Sequence, residues 1–168
     1  DQESSIIFAA GTNNRGRIVY DHHTAAGSQL MEFYVGDNTQ QMTIDGSGNV
    51  GIGEPSPAVE LDVAGRAPIG NGSAVTIASG VITITESFHS VITESAASTD
   101  NLDTINGSGA TGCILVLVAY DNGDDVVLTE SGNIILSGST CTLDHSEDTI
   151  TLIYNGSKWI EIARSTNS

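Results

Sequence analysis

Apolar and polar residues alternate along most of this chain, in short segments separated by turns rich in Gly, Asn and Asp. Because a period of two places successive side chains on opposite faces of an extended strand, the pattern predicts β-structure throughout. No segment has the length and periodicity of a helix. The first four predicted strands are 4–9, 17–21, 30–35 and 40–44.

The segment from Asp45 to Gly65 shows this alternation most clearly. Val50 and Ile52 place apolar side chains on one face, and Gly51 and Gly53, which alternate with them, allow another backbone to approach closely. After two prolines, Leu61 and Val63 restart the alternation. So short a segment cannot cover its own apolar side chains, since an isolated pair of short strands is marginal in water. We expect identical chains to provide the cover, with Val50, Ile52, Leu61 and Val63 in the core of the assembly.

The sequence of this segment, DGSGNVGIGEPSPAVELDVAG, resembles the G-N-V-G-I-G-x-x-x-P-x-x-x-L-D-V-x-G signature in shafts of tail fibres and tailspikes of tailed bacteriophages. The signature covers residues 48–65. The resemblance implies an elongated, intertwined homotrimer that is rich in β-structure and serves host attachment. It also implies partners, namely two identical subunits, other tail or fibre proteins, and a host-surface glycan or outer-membrane receptor. Assembly in the host bacterial cytoplasm and a place in the virion follow from the same resemblance.

The chain is predicted to contain two regions of different character. Residues 1–65 form the trimeric shaft, residues 66–73 form a linker, and residues 74–168 form a C-terminal β-domain, the head or tip. Evenly spaced strands without helices predict an antiparallel β-sandwich or small barrel for this domain. Its continuous apolar run at 112–120 is typical of a strand buried on both faces.

Two further stretches of the C-terminal domain carry local predictions. TITLIYNGSKWIEIA, at 149–163, predicts a β-hairpin, since Asn-Gly favours the positive φ angles of tight turns. The polar stretch 94–109 is predicted as a surface loop or one short helical turn near Ala96. Leu102 and Ile105 are its only sizeable apolar anchors.

The charge of the chain narrows the classes of partner. Lys and Arg number five against 21 Asp and Glu, for a net charge of −16. Such a surface repels phosphate backbones and anionic membranes, so neither nucleic acid nor membrane insertion is expected. The simplest role of the charge is to keep a strand-rich protein soluble. Because the chain starts without Met or a signal-type sequence, we expect a processed or excised fragment.

Candidate receptor contacts are found at one strand end and on the last hairpin. Tyr120, Asp121, Asn122 and Asp124 lie where binding loops of a rigid scaffold are often found. Their carboxylates suit Ca²⁺, but D-N-G-D is also ordinary turn chemistry and lacks the spacing of a calcium loop. Trp159 is either a stacking platform for a ligand or a side chain that packs the hairpin onto the core.

Other candidate sites carry weaker signals, and no cofactor or metal is expected. Gly46, Gly48 and Gly51 fit G-x-G-x-x-G, but the sequence that follows cannot form the helix that a nucleotide site requires. The adjacent His22 and His23 point to opposite faces on a strand, although threefold symmetry offers an alternative route to a metal site.

The remaining histidines and the two cysteines are expected to be structural. His89 and His145 lack neighbours at ligand spacing and are predicted at the surface or the edge of the core. Cys113 and Cys141 lie in apolar segments that are predicted to be strands, and both are predicted to be free thiols.

Three functions fit these observations. The first is the distal part of a trimeric phage tail fibre that attaches to the host surface. The second is a tailspike enzyme that cleaves host glycans with paired carboxylates, which the few aromatic residues disfavour (one Trp, four Tyr and three Phe). The third is a fibre connector or head fibre without receptor contact. We expect a structural protein rather than an enzyme.

Overall fold

The computed structural model is all-β and divides into two compact units, Asp1–Ala67 and Pro68–Ser168, called here the N-terminal and C-terminal units. The residues that it describes are 2–10, 13–25, 28–36, 39–67, 70, 72–107 and 109–167. The division between the units falls within the predicted linker 66–73, of which residues 68, 69 and 71 lie outside the described residues.

The N-terminal unit is a single six-stranded sheet in which every strand pairs with its neighbour in sequence. Its strands are β1 (Gln2–Ala10), β2 (Asn13–His22), β3 (Leu30–Val35), β4 (Thr39–Asp45), β5 (Val50–Ile52) and β6 (Leu61–Val63). All pairs are antiparallel except β5 and β6, which are parallel because the loop after Ile52 crosses back before β6 starts.

The strands predicted in this unit are confirmed, and β1, β2 and β4 extend beyond the predicted bounds. The turn predicted at 11–16 is shorter than expected, since β2 begins at Asn13. Residues 11 and 12 lie outside the described residues, as do residues 37 and 38 of the next predicted turn.

The C-terminal unit contains eleven further strands and one 3₁₀ turn at Glu94–Ala96. The strands are β7 (Val75–Thr76), β8 (Val81–Thr83), β9 (Phe88–Ile92), β10 (Thr99–Leu102), β11 (Thr104–Asn106), β12 (Ile114–Ala119), β13 (Asp125–Thr129), β14 (Ile134–Ile135), β15 (Thr140–Leu143), β16 (Thr149–Tyr154) and β17 (Trp159–Ser165). The polar stretch 94–109 therefore holds the predicted helical turn and two strands that the sequence did not reveal.

Successive passes of the chain through this unit stack in parallel, in the manner of a β-solenoid. β8 pairs with β11, β9 with β12 and β10 with β13, each in parallel register. After these two coils, β15, β16 and β17 complete the sheets with antiparallel pairs. The antiparallel sandwich or small barrel predicted from the sequence is thus replaced by β-solenoid-like stacking. Two strands that pair in parallel must be joined by a long connection. The segments between the paired strands from β8 to β13 provide such connections.

One hydrophobic core fills the C-terminal unit. Leu102 and Ile105, the predicted anchors of the polar stretch, are completely buried in it. In β12, Leu115 and Leu117 are also completely buried, whereas Ile114 is 43% exposed and the other alternate residues are half-buried. Within the single chain β12 is therefore buried on one face and not on both as predicted, because only one face of its sheet meets the core.

The hairpin predicted at 149–163 is confirmed as β16 and β17. The Asn155 side chain accepts hydrogen bonds from the backbone N–H groups of Ser157 and Lys158, at 2.9 and 2.7 Å. This local capping by an Asn side chain is the reason that the short polar turn folds the two strands back on each other.

Candidate assembly and binding surfaces

Residues that pair directly across neighbouring strands share a face, so the register of the N-terminal sheet identifies its two faces. One row crosses all six strands with apolar side chains only, and it consists of Ile6, Ile18, Phe33, Met42, Ile52 and Val63. The neighbouring row on this face consists of Ser4, Tyr20, Met31, Ile44, Val50 and Leu61. We call these two rows the N-terminal apolar face.

Large side chains of the N-terminal apolar face are open to solvent in the single chain. Ile6 is 62% exposed and Leu61 is 63% exposed. Beside Ile6 lies an apolar groove of about 250 Å³, lined in part by Ile18, Tyr20 and Met31. Because each buried aliphatic or aromatic side chain contributes about 1.5–3 kcal/mol, covering this face would be strongly favourable.

The two faces of the N-terminal sheet differ completely in charge. Neither row of the N-terminal apolar face contains an ionisable carboxylate, Lys, Arg or His. The acidic residues of the strands all fall on the opposite face, and they are Glu3, Asp21, Glu32, Asp45 and Asp62. The N-terminal apolar face is therefore the part of the sheet that another acidic protein can approach without charge repulsion.

The opposite face carries polar side chains that contact one another. The Gln40 amide donates hydrogen bonds to Glu32 Oε1 at 2.9 Å and to Thr43 Oγ1 at 2.6 Å, and Thr43 is completely buried. The Arg17 guanidinium lies 4.1 Å from the centre of the Tyr34 ring. Burial and then the nearby Glu32 carboxylate raise the pKa of Tyr34. The polar groups of this face are paired only in part, since Arg17 Nε and Asp21 Oδ1 are buried without a hydrogen-bond partner.

Gly51 lies on the polar face, where the loop between β5 and β6 folds over it. A Cβ atom at position 51 would overlap the backbone carbonyl of Glu54. The Val50 N–H donates to Glu60 O at 2.9 Å, and the Ala64 N–H donates to Ile52 O at 3.0 Å, so the loop is fixed at both ends. The close backbone approach predicted for the glycine face is thus confirmed at Gly51, and the backbone that approaches belongs to the same chain.

The turn at the start of the signature is held by one carboxylate. Asp45 accepts hydrogen bonds from the backbone N–H groups of Ser47 and Asn49, both at 2.9 Å, and from the Asn49 amide at 3.0 Å. The hydrogen bond from the Asn49 N–H is the main reason that the pKa of Asp45 lies below its usual value. The Gly-rich sequence after Asp45 therefore encodes a tight turn.

All four residues predicted for the core of the assembly lie on the N-terminal apolar face. Ile52 is 41% exposed and Leu61 is exposed, while Val50 and Val63 are half-buried. The structure brings them together as paired neighbours, since Val50 lies opposite Leu61 and Ile52 lies opposite Val63. Their contact with identical chains stays a prediction. Sequence reasoning missed the residues of β1 to β4 that continue the same rows.

The predicted receptor-contact turn is accessible, and its polar side chains are engaged in turn contacts. Tyr120 is 56% exposed. Asp121 accepts a hydrogen bond from the Gly123 N–H, Asn122 accepts one from the Ser146 N–H, and Asp124 accepts one from the Thr93 hydroxyl. These contacts support the reading as ordinary turn chemistry. Over the described part of the chain, no group of three or more His, Cys, Asp or Glu side chains is arranged to hold a metal ion.

Trp159, the other predicted receptor contact, lies in the core. Its side chain is 1% exposed, and its ring centre is 5.1 Å from that of Tyr154. The indole is therefore closed to a ligand in this structure, and the alternative that it packs the hairpin onto the core fits its position. The buried Nε1 donor of Trp159 has no hydrogen-bond partner.

His89 differs from its predicted place at the surface or the edge of the core, since it is completely buried. Its Nε2 accepts hydrogen bonds from the backbone N–H groups of Thr85 and Glu86, both at 3.1 Å. Nδ1 lies 2.7 Å from the carbonyl oxygen of Ser73, which only accepts, so Nδ1 carries the proton. A Cβ atom at Gly72 would overlap this ring. His89 is thus a structural residue whose partners are backbone groups.

The other histidines and both cysteines have ordinary structural surroundings. His22 Nε2 lies 2.9 Å from the Ser4 hydroxyl, and its ring meets that of Tyr20 edge to face. Cys113 and Cys141 are free thiols, as predicted. Burial raises the pKa of the Cys141 thiol, which keeps it protonated and unreactive at neutral pH.

One carboxylate pair bears on the enzyme alternative. Asp144 and Asp148 share a hydrogen bond, which raises the pKa of Asp144, while the backbone N–H of Asn167 is the main cause that lowers the pKa of Asp148. Carboxylates in direct contact leave no room for a glycosidic bond between them, whereas glycosidase pairs are about 5–10 Å apart. Asp148 instead holds the C-terminal segment through Asn167 N–H, at 2.6 Å.

In the described ranges, no helix has the length and hydropathy to cross a bilayer. Comparison of the sequence with family models and with curated proteins gave no match to either.

Proposed function

We propose that this chain is the distal part of a homotrimeric phage tail fibre that mediates attachment to the host surface. The observation that carries the proposal is the N-terminal apolar face, one row of which places six apolar side chains across six strands, each exposed or only half-buried in the single chain. The phage context and the number three come from the resemblance of residues 48–65 to fibre shafts.

The charge of the chain favours identical copies as the cover. Copies of a chain with a net charge of −16 repel one another, and this repulsion is smallest where the surfaces that meet carry no charge. The two rows of the N-terminal apolar face carry no charge and extend over all six strands. In this proposal the C-terminal unit, with its own core, is the head or tip, and it contacts a host-surface glycan or outer-membrane receptor.

Two neighbouring isoleucines provide a matched test of the assembly. Ile6 lies on the N-terminal apolar face and is 62% exposed, whereas Ile7 lies on the opposite face of the same strand and is 52% exposed. Ile6→Asp should shift the folded protein from trimer to monomer, because a buried unpaired carboxylate is costly. Ile7→Asp should leave the trimer intact. Equal behaviour of the two variants in light scattering would reject this face as the contact.

Receptor binding is tested separately. Purified wild-type protein should inhibit adsorption of the parent phage, or of a phage carrying this fibre, to its host in a concentration-dependent manner. A trimer that gives no inhibition at saturating concentration would favour the connector or head-fibre role over attachment. Release of reducing sugar from host polysaccharide would favour the tailspike enzyme.

A further inference from the structure

The C-terminal unit also presents an uncharged, partly apolar surface, on the outer side of its six-stranded sheet. In β12, the buried Leu115 and Leu117 alternate with outward residues, and the register extends these to neighbouring strands. The first outward row consists of Ile135, Ile160, Ile153 and Ile114. The next two rows consist of Ala163, Thr151, Val116 and Phe88, and of Ser165, Thr149, Val118 and Ser90. We call these three rows the isoleucine face.

The isoleucine face differs from the other outer surfaces of the solenoid. None of its residues is charged, and Ile114 is 43% exposed. The three-stranded sheet instead presents a row in which Asn101 and Thr142 flank Val127, with Asp125 beside it. The four isoleucine side chains of the first row are equal in size and lie in line. They form a flat apolar surface, which is suited to packing against another flat apolar surface.

We propose that the isoleucine face packs against the isoleucine faces of two sister copies, so that the C-terminal units contribute their own contact to the trimer. This inference rests on the proposed homotrimer and adds the partner surface of the C-terminal unit to it. A cationic partner would be recognised by carboxylates, and this face has none. A glycan would need hydrogen-bonding side chains and aromatic platforms, of which the face has only Phe88 and small hydroxyl groups. A copy of the same acidic chain can approach here without bringing charges together.

The size of the isoleucine face sets the expected effect. Its twelve outward residues come from five strands about 4.8 Å apart and give a patch on the order of 300 Å² per copy. A stable interface usually buries about 800 Å² on each partner. The isoleucine face should therefore strengthen an assembly that the N-terminal unit also holds, rather than hold it alone.

Val116 and Val127 form a matched pair for the test, because both are half-buried outward valines in central strands of their sheets. In the full chain, Val116→Asp should raise the concentration at which the trimer dissociates at least tenfold, as measured by sedimentation equilibrium. Val127→Asp should change it less than twofold. Equal shifts for the two variants would overturn this inference and leave the homotrimer standing, whereas a monomeric wild-type protein would overturn both.

A second measurement covers the case in which Val116→Asp does not fold. Thr151 lies on the isoleucine face and Thr142 on the outer side of the three-stranded sheet, and both are half-buried. In a Cys113→Ser chain, nitroxide labels on Thr151→Cys should broaden one another's electron paramagnetic resonance spectrum by dipolar coupling. Labels on Thr142→Cys should not. A trimeric protein whose labels at position 151 stay uncoupled would overturn the inference.

Discussion

The two units of this chain use the same alternating pattern but differ in how much they bury by themselves. The core of the C-terminal unit includes the completely buried Leu115, Leu117, Leu128 and Ile150. Among the described side chains of the N-terminal unit, Val19 is the one buried aliphatic residue. The difference shows that alternation specifies strands and faces, whereas coil stacking decides whether a chain can close its own core.

The physical reason lies in the number of sheets that meet. Each alternating sheet has one apolar side, and in the C-terminal unit the inward sides of several sheets meet around one core. The N-terminal unit is one sheet, so its apolar side has no partner in the same unit. Its stability should therefore depend on protein concentration, while that of the C-terminal core should depend on it much less.

The largest expected effect tests this contrast directly. Leu117→Ala should destabilise the C-terminal unit by about 2–5 kcal/mol through cavity formation, with little dependence on protein concentration. Phe33→Ala, on the N-terminal apolar face, should give a loss that becomes greater on dilution. Denaturant unfolding at several protein concentrations measures both. A Phe33→Ala effect that is the same at every concentration would contradict the contrast.

A buried polar residue of the C-terminal unit should be nearly as sensitive. His89→Ala should cost about 2–4 kcal/mol, since it leaves two backbone N–H groups and the Ser73 carbonyl without partners in the interior. His145→Ala is the control, because His145 is only half-buried, and its effect should be within about 0.5 kcal/mol. Thermal unfolding of both variants, followed by circular dichroism, makes the comparison.

A glycine of the N-terminal unit provides the next smaller effect. Gly51→Ala should cost about 1–3 kcal/mol, because the new methyl group must displace the Glu54 carbonyl and the loop that carries it. Gly48→Ala would strain the backbone, because Gly48 has a positive φ angle. Ala58→Gly, in the loop that covers Gly51, is therefore the better control. Unfolding by denaturant should show a clear loss for the first variant and little for the second. Equal stabilities would mean that the loop adapts.

The smallest effect concerns pH. Hydrogen bonding from Arg164 lowers the pKa of Glu161 to about 2, with a further hydrogen bond from the Ser137 N–H at 2.8 Å. Because the folded pKa lies below the usual value of 4.5, this stabilisation is full above pH 4.5 and is lost as pH falls towards 2. Its size should be on the order of 1 kcal/mol after solvent screening. Glu161→Gln should flatten the stability profile across that window, and an unchanged acid slope would argue against the pair.

Strand positions could be predicted from the sequence because they depend on local alternation and turn residues. The hairpin with Asn155 and the strands of the N-terminal sheet are examples. The partner of each strand could not be predicted in the same way. Val116 pairs in parallel with Phe88 from the previous coil, and no local pattern records that contact. The sequence therefore predicted an antiparallel sandwich, whereas the structure shows a stack of coils.

Burial of polar residues was beyond prediction for a related reason. His89 is satisfied by backbone groups of Ser73, Thr85 and Glu86, and a backbone group has no signature in the sequence. The candidate assembly surface was predicted only in part. Val50 and Ile52 indicated it, but its full width became visible once the register placed Ile18 and Phe33 in the same row.

The central claim is that sister copies cover the N-terminal apolar face, and the mass of the folded protein tests it most directly. Size-exclusion chromatography with static light scattering, on soluble protein with full β-content, should give three times the chain mass of 17.4 kDa. A single species of 17.4 kDa that keeps its β-content in dilute solution would contradict the claim.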